Sequence, residues 1–353
     1  MVCLLMVGRI YDPRLSVLGI NFILIINLLP IFFFLYNVLI KRKISKEFST
    51  FTIVVVLVVT YSVFLFNFHG INDAENYSIN KIIYFFTVFV PLIYYKHEKG
   101  LDHYFTNSLF LACIFFFMIG LSKINASPDR MAIFGGGPIV FARWIGIFLI
   151  ISLHFFKNIF IRIILISLSF LLIIKTGSKG PFIFLIIAFS YSLIRRISFL
   201  RLIPIIMIIS STIYLLIDFI LELLGPRLLS LFSLELLETT SATGRIDRWR
   251  LAIEVFFNNP FGVGLGNYVP VSKLIESNDF FLAEYPHNLF LELISELGFL
   301  GVFLSLTIIS FIIKNINNNS LPVYQKQIII FTMLNTMVSG DIMDARFLFL
   351  FIL

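Results

Sequence analysis

The chain has 353 residues, of which 59% are hydrophobic and only 13% charged, with a mean hydropathy of +0.98. That balance excludes a soluble globular protein. A net charge of +7 is read as a report of membrane topology rather than of a nucleic-acid partner, because no basic helix with interleaved aromatics occurs in a soluble segment. Apolar runs of about 20 residues recur along nearly the whole sequence, whereas barrel strands would be shorter and would alternate in polarity. The expected fold class is therefore all-α, a polytopic transmembrane helical bundle of about 10–11 spans with one long external insert carrying amphipathic helices.

The opening MVCLLMVGRIYDPR carries Arg9 and Asp12 and lacks a small-residue cleavage site, so the N-terminus is expected to be retained. Spans then follow at 15–40, 48–68, 79–95, 103–121, 138–155, 158–175, 180–194, 199–219, 288–313 and 324–340, with 343–353 as a short eleventh. Three parts result: an N-terminal bundle at 1–219, an external loop at 220–287 and C-terminal helices at 288–353, all in one integral membrane domain. Alternate connections are basic: KRKISK at 41–46, YKHEKG at 95–100, KNIFIR at 157–162 and RRISFLR at 195–201, then Lys314 with Lys326. These are assigned to the cytoplasm, which leaves 67–80, 122–137, the TGSKG turn and the long insert outside.

Basic residues on that outer side are the sharper signal, since the insertion rule predicts few of them in short loops: Lys123, Arg130, Arg143, Lys175, Lys179, Arg245, Arg248 and Arg250. Three spans entering from outside begin alike, with GGGP at 135–138, GSKGP at 177–181 and YPHN at 285–288. A proline near the first helical position wastes no donor, glycine lets amides approach a ligand, and helix N-termini carry partial positive charge, so three converging ends would form an anion site. Within the insert, a helix from about Ile246 to Phe257 is expected to lie flat on the membrane, with Trp249, Ile253 and Phe256 marking its apolar face. Asn258, Asn259, Pro260 and glycines 262, 264 and 266 then form a compact loop, and because no strand precedes GVGLG the dinucleotide fingerprint is rejected.

Cys3 and Cys113 form no disulfide framework, and the absence of CxxC, HExxH or a carboxylate array gives no expectation of a metal or other cofactor. His97, His103 and His154 fall in cytoplasmic connections and His69 in an outer loop. In VSGDIMDAR, Asp341 and Asp344 either face an external cavity with Arg346 or form a salt-linked turn.

The runs TGSKGPFIFLIIAFS, TGRIDRWRLAIEVFFNNPFGVGLGNY and HNLFLELISELGFLG together resemble the O-antigen ligase and polymerase superfamily of bacterial envelope glycosyltransferases, most closely from about 174 to 305. GGGPIVFARW at 135–144 is a further match, and Arg248 followed by fifteen residues and Gly264 fits an Arg-x15-Gly spacing. The resemblance implies a metal-independent C-type glycosyltransferase of the bacterial inner membrane, its active site facing the periplasm. Its donor is a glycan on undecaprenyl diphosphate, which a polymerase moves onto a lipid-linked repeat unit and a ligase onto lipid A-core. The implied partners are that lipid-linked oligosaccharide, the bilayer, and a chain-length regulator or other polysaccharide assembly proteins, with no nucleic acid. By the same likeness, Arg245 and His287 take the catalytic positions. Lys179, which stands where the family usually has arginine, joins Arg143 and Arg248 on the diphosphate, with Glu284, Glu292 and Arg250 as secondary candidates. Chemically, cations are needed where negative charge grows on the leaving oxygen. His287 either takes the acceptor proton, bonds the diphosphate or only caps its helix, and Glu284 or Glu292 either orients it or serves as base. A transporter or flippase would instead show inverted repeats and charges near the bilayer midplane, and most charges here lie at span ends.

Overall fold

The computed structural model of the chain describes residues 16–17, 20–40, 45–69, 81–82, 86, 89–97, 102–124, 130–132, 137–196, 240–275, 285–342 and 344–352. Among these the architecture is helical apart from two paired residues on each of β1 (Ser16–Val17) and β2 (Ile20–Asn21), joined antiparallel with Ser16 opposite Asn21. The helices are α1 (Phe22–Leu39), α2 (Lys46–His69), α3 (Val90–His97), α4 (Asp102–Ser122), α5 (Pro138–Phe155), α6 (Ile159–Thr176) and α7 (Lys179–Arg196). After the gap in description come α8 (Thr240–Asn258), α9 (Tyr268–Ile275), α10 (Leu289–Leu297), α11 (Phe299–Asn317), α12 (Val323–Val338) and α13 (Arg346–Ile352). Segments long and apolar enough to cross a membrane lie in α2, α5, α6 and α11. This is the architecture of a polytopic helical membrane protein.

Three expected spans need correction. The first, 15–40, opens with the β1–β2 pair, and its helix starts only at Phe22. The run 288–313 is two helices, because the chain turns at Gly298, φ +60°, between α10 and α11. The tail forms α13, whose seven residues rise only about 10 Å and cannot span about 30 Å of hydrocarbon. The expected span 199–219 lies outside the described residues.

The chain divides into two compact units, one of residues 1–112, 243–317 and 336–353, the other of 113–242 and 318–335. In the second unit, α5 is the central helix, and most of its residues are enclosed by protein. Trp144 stacks on Phe116 with ring centroids 4.5 Å apart, Phe148 stacks on Phe117 at 4.3 Å, and Gly146 leaves room for the ring of Phe331. Asn158 starts α6 by accepting from the amide of Phe160 at 2.9 Å, and left-handed Gly177 ends it. In the first unit, Phe34, Phe48 and Tyr94 join α1, α2 and α3 edge to face, with centroids 5.2–6.0 Å apart.

Candidate functional site

Arg245 sits on α8, which is longer than the sequence suggested. Ala252 and Val255 are buried against Val263, Tyr268, Val269 and Val271, Leu251 is also buried, and Ile253 is 44% exposed. A second apolar stripe of Ile246, Ile253 and Phe257, spaced i, i+7 and i+11, turns outward and shares Ile253 with the stripe expected to face the membrane. The Tyr268 hydroxyl donates to the Arg248 carbonyl at 3.2 Å and ties α9 to α8. Arg245 is half-buried, Arg248 lies one turn along, and Arg250 is exposed. Burial, with Arg248 adding like charge, pulls the Arg245 guanidinium below its ordinary pKa. It stays protonated at neutral pH regardless, so α8 holds a partly desolvated cation, the condition under which an anion is bound most strongly. One turn from Arg245, the indole nitrogen of Trp249 is buried with no hydrogen-bond partner among the described residues.

His287 precedes α10. Its φ of 58° makes it the one residue other than glycine in the left-handed region among those described. Such a conformation costs free energy and persists where the surroundings over-determine it, often at functional sites. What holds it is visible on both sides. Tyr285 lies against its ring, with centroids 4.5 Å apart, and Asn288 caps α10 by accepting from the amides of Phe290 and Leu291 at 3.0 and 3.2 Å. Asn288 is therefore the cap, which removes that role from His287. Pro286 sits ahead of the cap rather than at the first helical position.

Backbone contacts join the helix of Arg245 to the helix that follows His287. The Gly264 amide donates to the Glu296 carbonyl at 2.7 Å and the Phe299 amide to the Pro260 carbonyl at 2.9 Å. Gly262 and Gly298 make this approach possible: both have positive φ, and a Cβ on either would strike main-chain atoms of the other's segment. Leu291 of α10 completes the contact by packing on the Ala252–Val255 cluster. The compact loop expected at 258–266 is present from residue 259, Asn258 still belonging to α8, and the Gly264 amide is spent on this interlock. Tyr61 secures the loop to α2, its hydroxyl donating to the Phe261 carbonyl at 2.6 Å.

Glu292 lies one turn into α10, fully buried. One of its oxygens accepts from the Lys81 ammonium and the other from the Ile342 amide at 2.9 Å. Lys81 also donates to both oxygens of Glu296, at 2.7 and 2.9 Å. This cluster pins α10 to residue 81 and to the turn before α13. Sequence reasoning missed Lys81 and Glu296. The available signal was a lysine inside the apolar run NKIIYFF and two carboxylates four apart in LELISEL, since ionisable groups in such runs need partners. At the next turn, Asp341 accepts from the Asp344 amide at 3.0 Å and Arg346 stands 3.8 Å from Asp344, the salt-linked turn among the two readings. Glu284 lies outside the described residues.

Arg143 and Lys179 belong to the other unit. Buried on α5, Arg143 donates to the Asn335 carbonyl of α12 at 3.4 Å. Gly137 caps α5 and Pro138 is its first residue, as the GGGP motif suggests. Lys179 opens α7 directly after the Gly177 turn. That turn is braced by Arg130, which donates to the Thr176 carbonyl at 3.2 Å, and by the Met131 amide on Lys175 at 3.1 Å. No group of His, Cys, Asp and Glu among the described residues has the arrangement of a metal site.

Comparison with known families matches residues 163–306, 144 of the 353 positions, to the family described as O-antigen ligase. The match supports the O-antigen ligase and polymerase superfamily. Members of the matched family are glycosyltransferase-like enzymes. Its span takes in Lys179, Arg245, Arg248, His287 and Glu292. A search of curated proteins finds no match to the chain.

Proposed function

We propose that this chain is a polysaccharide polymerase of the bacterial inner membrane, which moves an undecaprenyl-diphosphate-linked glycan onto a lipid-linked repeat unit at the periplasmic face. The observation that carries the reading is the coupling of Arg245 and His287 inside a segment matched to O-antigen ligases: one helix bears the half-buried cation, the next long-range partner bears the strained histidine, and a glycine interlock joins them. The matched family's own description, O-antigen ligase, keeps the ligase as the second reading, and lipid A-core is the acceptor which that reading implies. The bundle at 1–219 and the helices at 288–353 would anchor the loop at 220–287.

In the reaction, the acceptor hydroxyl attacks the anomeric carbon, the bond from that carbon to the diphosphate oxygen breaks, and the lipid diphosphate leaves with the electron pair. His287 receives the hydroxyl proton. Arg245, with Arg248, stabilises charge that grows on the leaving oxygen more than it stabilises the ground state, which is where the rate gain arises without a metal.

Deleting the gene and separating the surface polysaccharide on a gel tests the reading. A single repeat left on lipid A-core is the expected result, complete loss of attached repeats identifies the ligase, and an unchanged ladder refutes both. Arg245→Ala and His287→Ala should each lower activity by a factor of about 100 or more with membrane insertion intact.

A further inference from the structure

Within the unit of residues 1–112, 243–317 and 336–353, a groove of about 590 Å³ follows α2 from Lys46 to Val59. Thirteen helical steps of about 1.5 Å give it a length of roughly 20 Å, more than one leaflet of a hydrocarbon core of about 30 Å. Its walls are apolar, with Val54, Val55 and Val58 facing Leu304 and Ile308 of α11. The hydroxyls of Thr50 and Thr307, which also line it, donate to their own helices at the carbonyls of Lys46 and Phe303. A sugar or nucleotide would find no matching polar wall there, so the interior suits a hydrocarbon chain.

The two ends differ. The bond from Tyr61 to Phe261 and the approach of Gly264 to Ser62 set the late part of α2 beside the α10–α11 junction, so Leu293, Leu297 and Ile342 close the groove at that end. At the other end stand the exposed Lys46 and the half-buried His97, beside Phe311 and Ile352. Lys46 ends the KRKISK connection and His97 lies within YKHEKG, two basic connections assigned to the cytoplasm by charge bias. An anionic headgroup held there belongs to the inner leaflet, whose lipids attract such clusters.

We infer that this groove binds one acyl chain of an anionic phospholipid, with the headgroup phosphate at Lys46 and His97 and the chain end under α10. The site does not depend on the transferase reading, because its occupant is neither donor nor acceptor. The bound chain braces α10, on which the His287 turn rests.

The test uses the full chain in nanodiscs with phosphatidylglycerol bearing a photoreactive acyl chain, followed by peptide mapping. Label is expected on α2 around residues 54–59 and on α11 around 304–308. Unlabelled phosphatidylglycerol should compete at least about fivefold better than phosphatidylcholine, the ratio expected for one surface cation. Lys46→Glu with His97→Ala should weaken labelling by a similar or larger factor. Val55→Trp should fill the groove and abolish labelling, and Ile308→Trp on the opposite wall does the same job if the first variant fails to fold by circular dichroism. Labelling that survives both tryptophans in folded protein overturns the proposal, as does equal competition by phosphatidylcholine. Displacement by undecaprenyl diphosphate in preference to phosphatidylglycerol also overturns it, by giving the groove to the substrate chain. None of these readouts requires turnover, so loss of the transferase reading leaves them intact.

Discussion

Replacing Gly262 with alanine tests whether the interlock positions the site. At Gly262 φ is +89°, and an added Cβ would lie 2.5 Å from the Glu296 carbonyl oxygen and 2.6 Å from the Gly298 nitrogen. Those are main-chain atoms of the α10–α11 junction, which cannot swing aside as a side chain can. The left-handed backbone costs a residue with a Cβ about 1–2 kcal/mol, and forcing an extra carbon into a packed contact adds about 1–3 kcal/mol. Gly262→Ala should therefore destabilise by roughly 2–5 kcal/mol. Gly137 is the matched control, since its φ is −63° and no heavy atom lies within 4 Å of a built Cβ. Alanine there should cost only about 0.5 kcal/mol, from its weaker capping preference. Fluorescence-detected size-exclusion after heating measures both in detergent, and the polysaccharide ladder measures function. Gly262→Ala should melt several degrees lower and shorten or erase the ladder, with Gly137→Ala near the parent in both. Equal melting temperatures for the two variants would refute the interlock. A double variant with Gly298→Ala should add little to Gly262→Ala, because both break one contact.

Three further outcomes follow from the same geometry. Asn288→Ala removes an acceptor bonded to two amides and should cost about 1 kcal/mol, read as a lower melting temperature. Lys81→Ala strands two buried carboxylates and should cost about 3–5 kcal/mol, whereas Lys81→Met together with Glu292→Gln and Glu296→Gln should recover most of that loss; equal instability of the two variants would deny the cluster its role. His287→Gly should be at least as stable as His287→Ala, by about 1 kcal/mol, with both inactive, because glycine accepts a φ of 58° without a Cβ penalty. Recovery of the ladder in the glycine variant would mean that the turn matters and the imidazole does not.

Span positions were legible where an apolar run fills a helix and ends at a strong signal. The expected run 138–155 coincides with α5, because GGGP puts proline at its first residue, and 158–175 differs from α6 by one residue because Asn158 and Gly177 bound it. The break at Gly298 was not legible, since a lone glycine in an apolar run is common and the reason for this one lies in the Pro260–Gly262 backbone that packs on it. Composition gave the compact glycine loop but not its partner. The Lys81–Glu292 pair is separated by 211 positions, a distance over which helical periodicity carries no information. For α8, hydrophobic pattern alone did not name the partners of Ala252 and Val255, which come from α9, α10 and the loop between them and α8.

The histidine turn shows how the fold maintains a strained site. A left-handed histidine has no local reason to persist, and relaxing it would swing the start of α10 away from Asn288, whose side chain holds two amides only in the present geometry. Such relaxation is opposed along the helix. Glu292 fixes the first turn to Lys81 and to the Ile342 amide, and the Glu296 carbonyl fixes the last full turn to Gly264. With three anchors distributed over nine residues, rotation of α10 breaks at least one bond wherever it begins, so the cost of about 1–2 kcal/mol stored at His287 is smaller than that of releasing it. The Gly264 anchor belongs to the loop that ends α8, and movement of the Arg245 helix is transmitted to the histidine through main-chain atoms, which have fewer alternative positions than side chains.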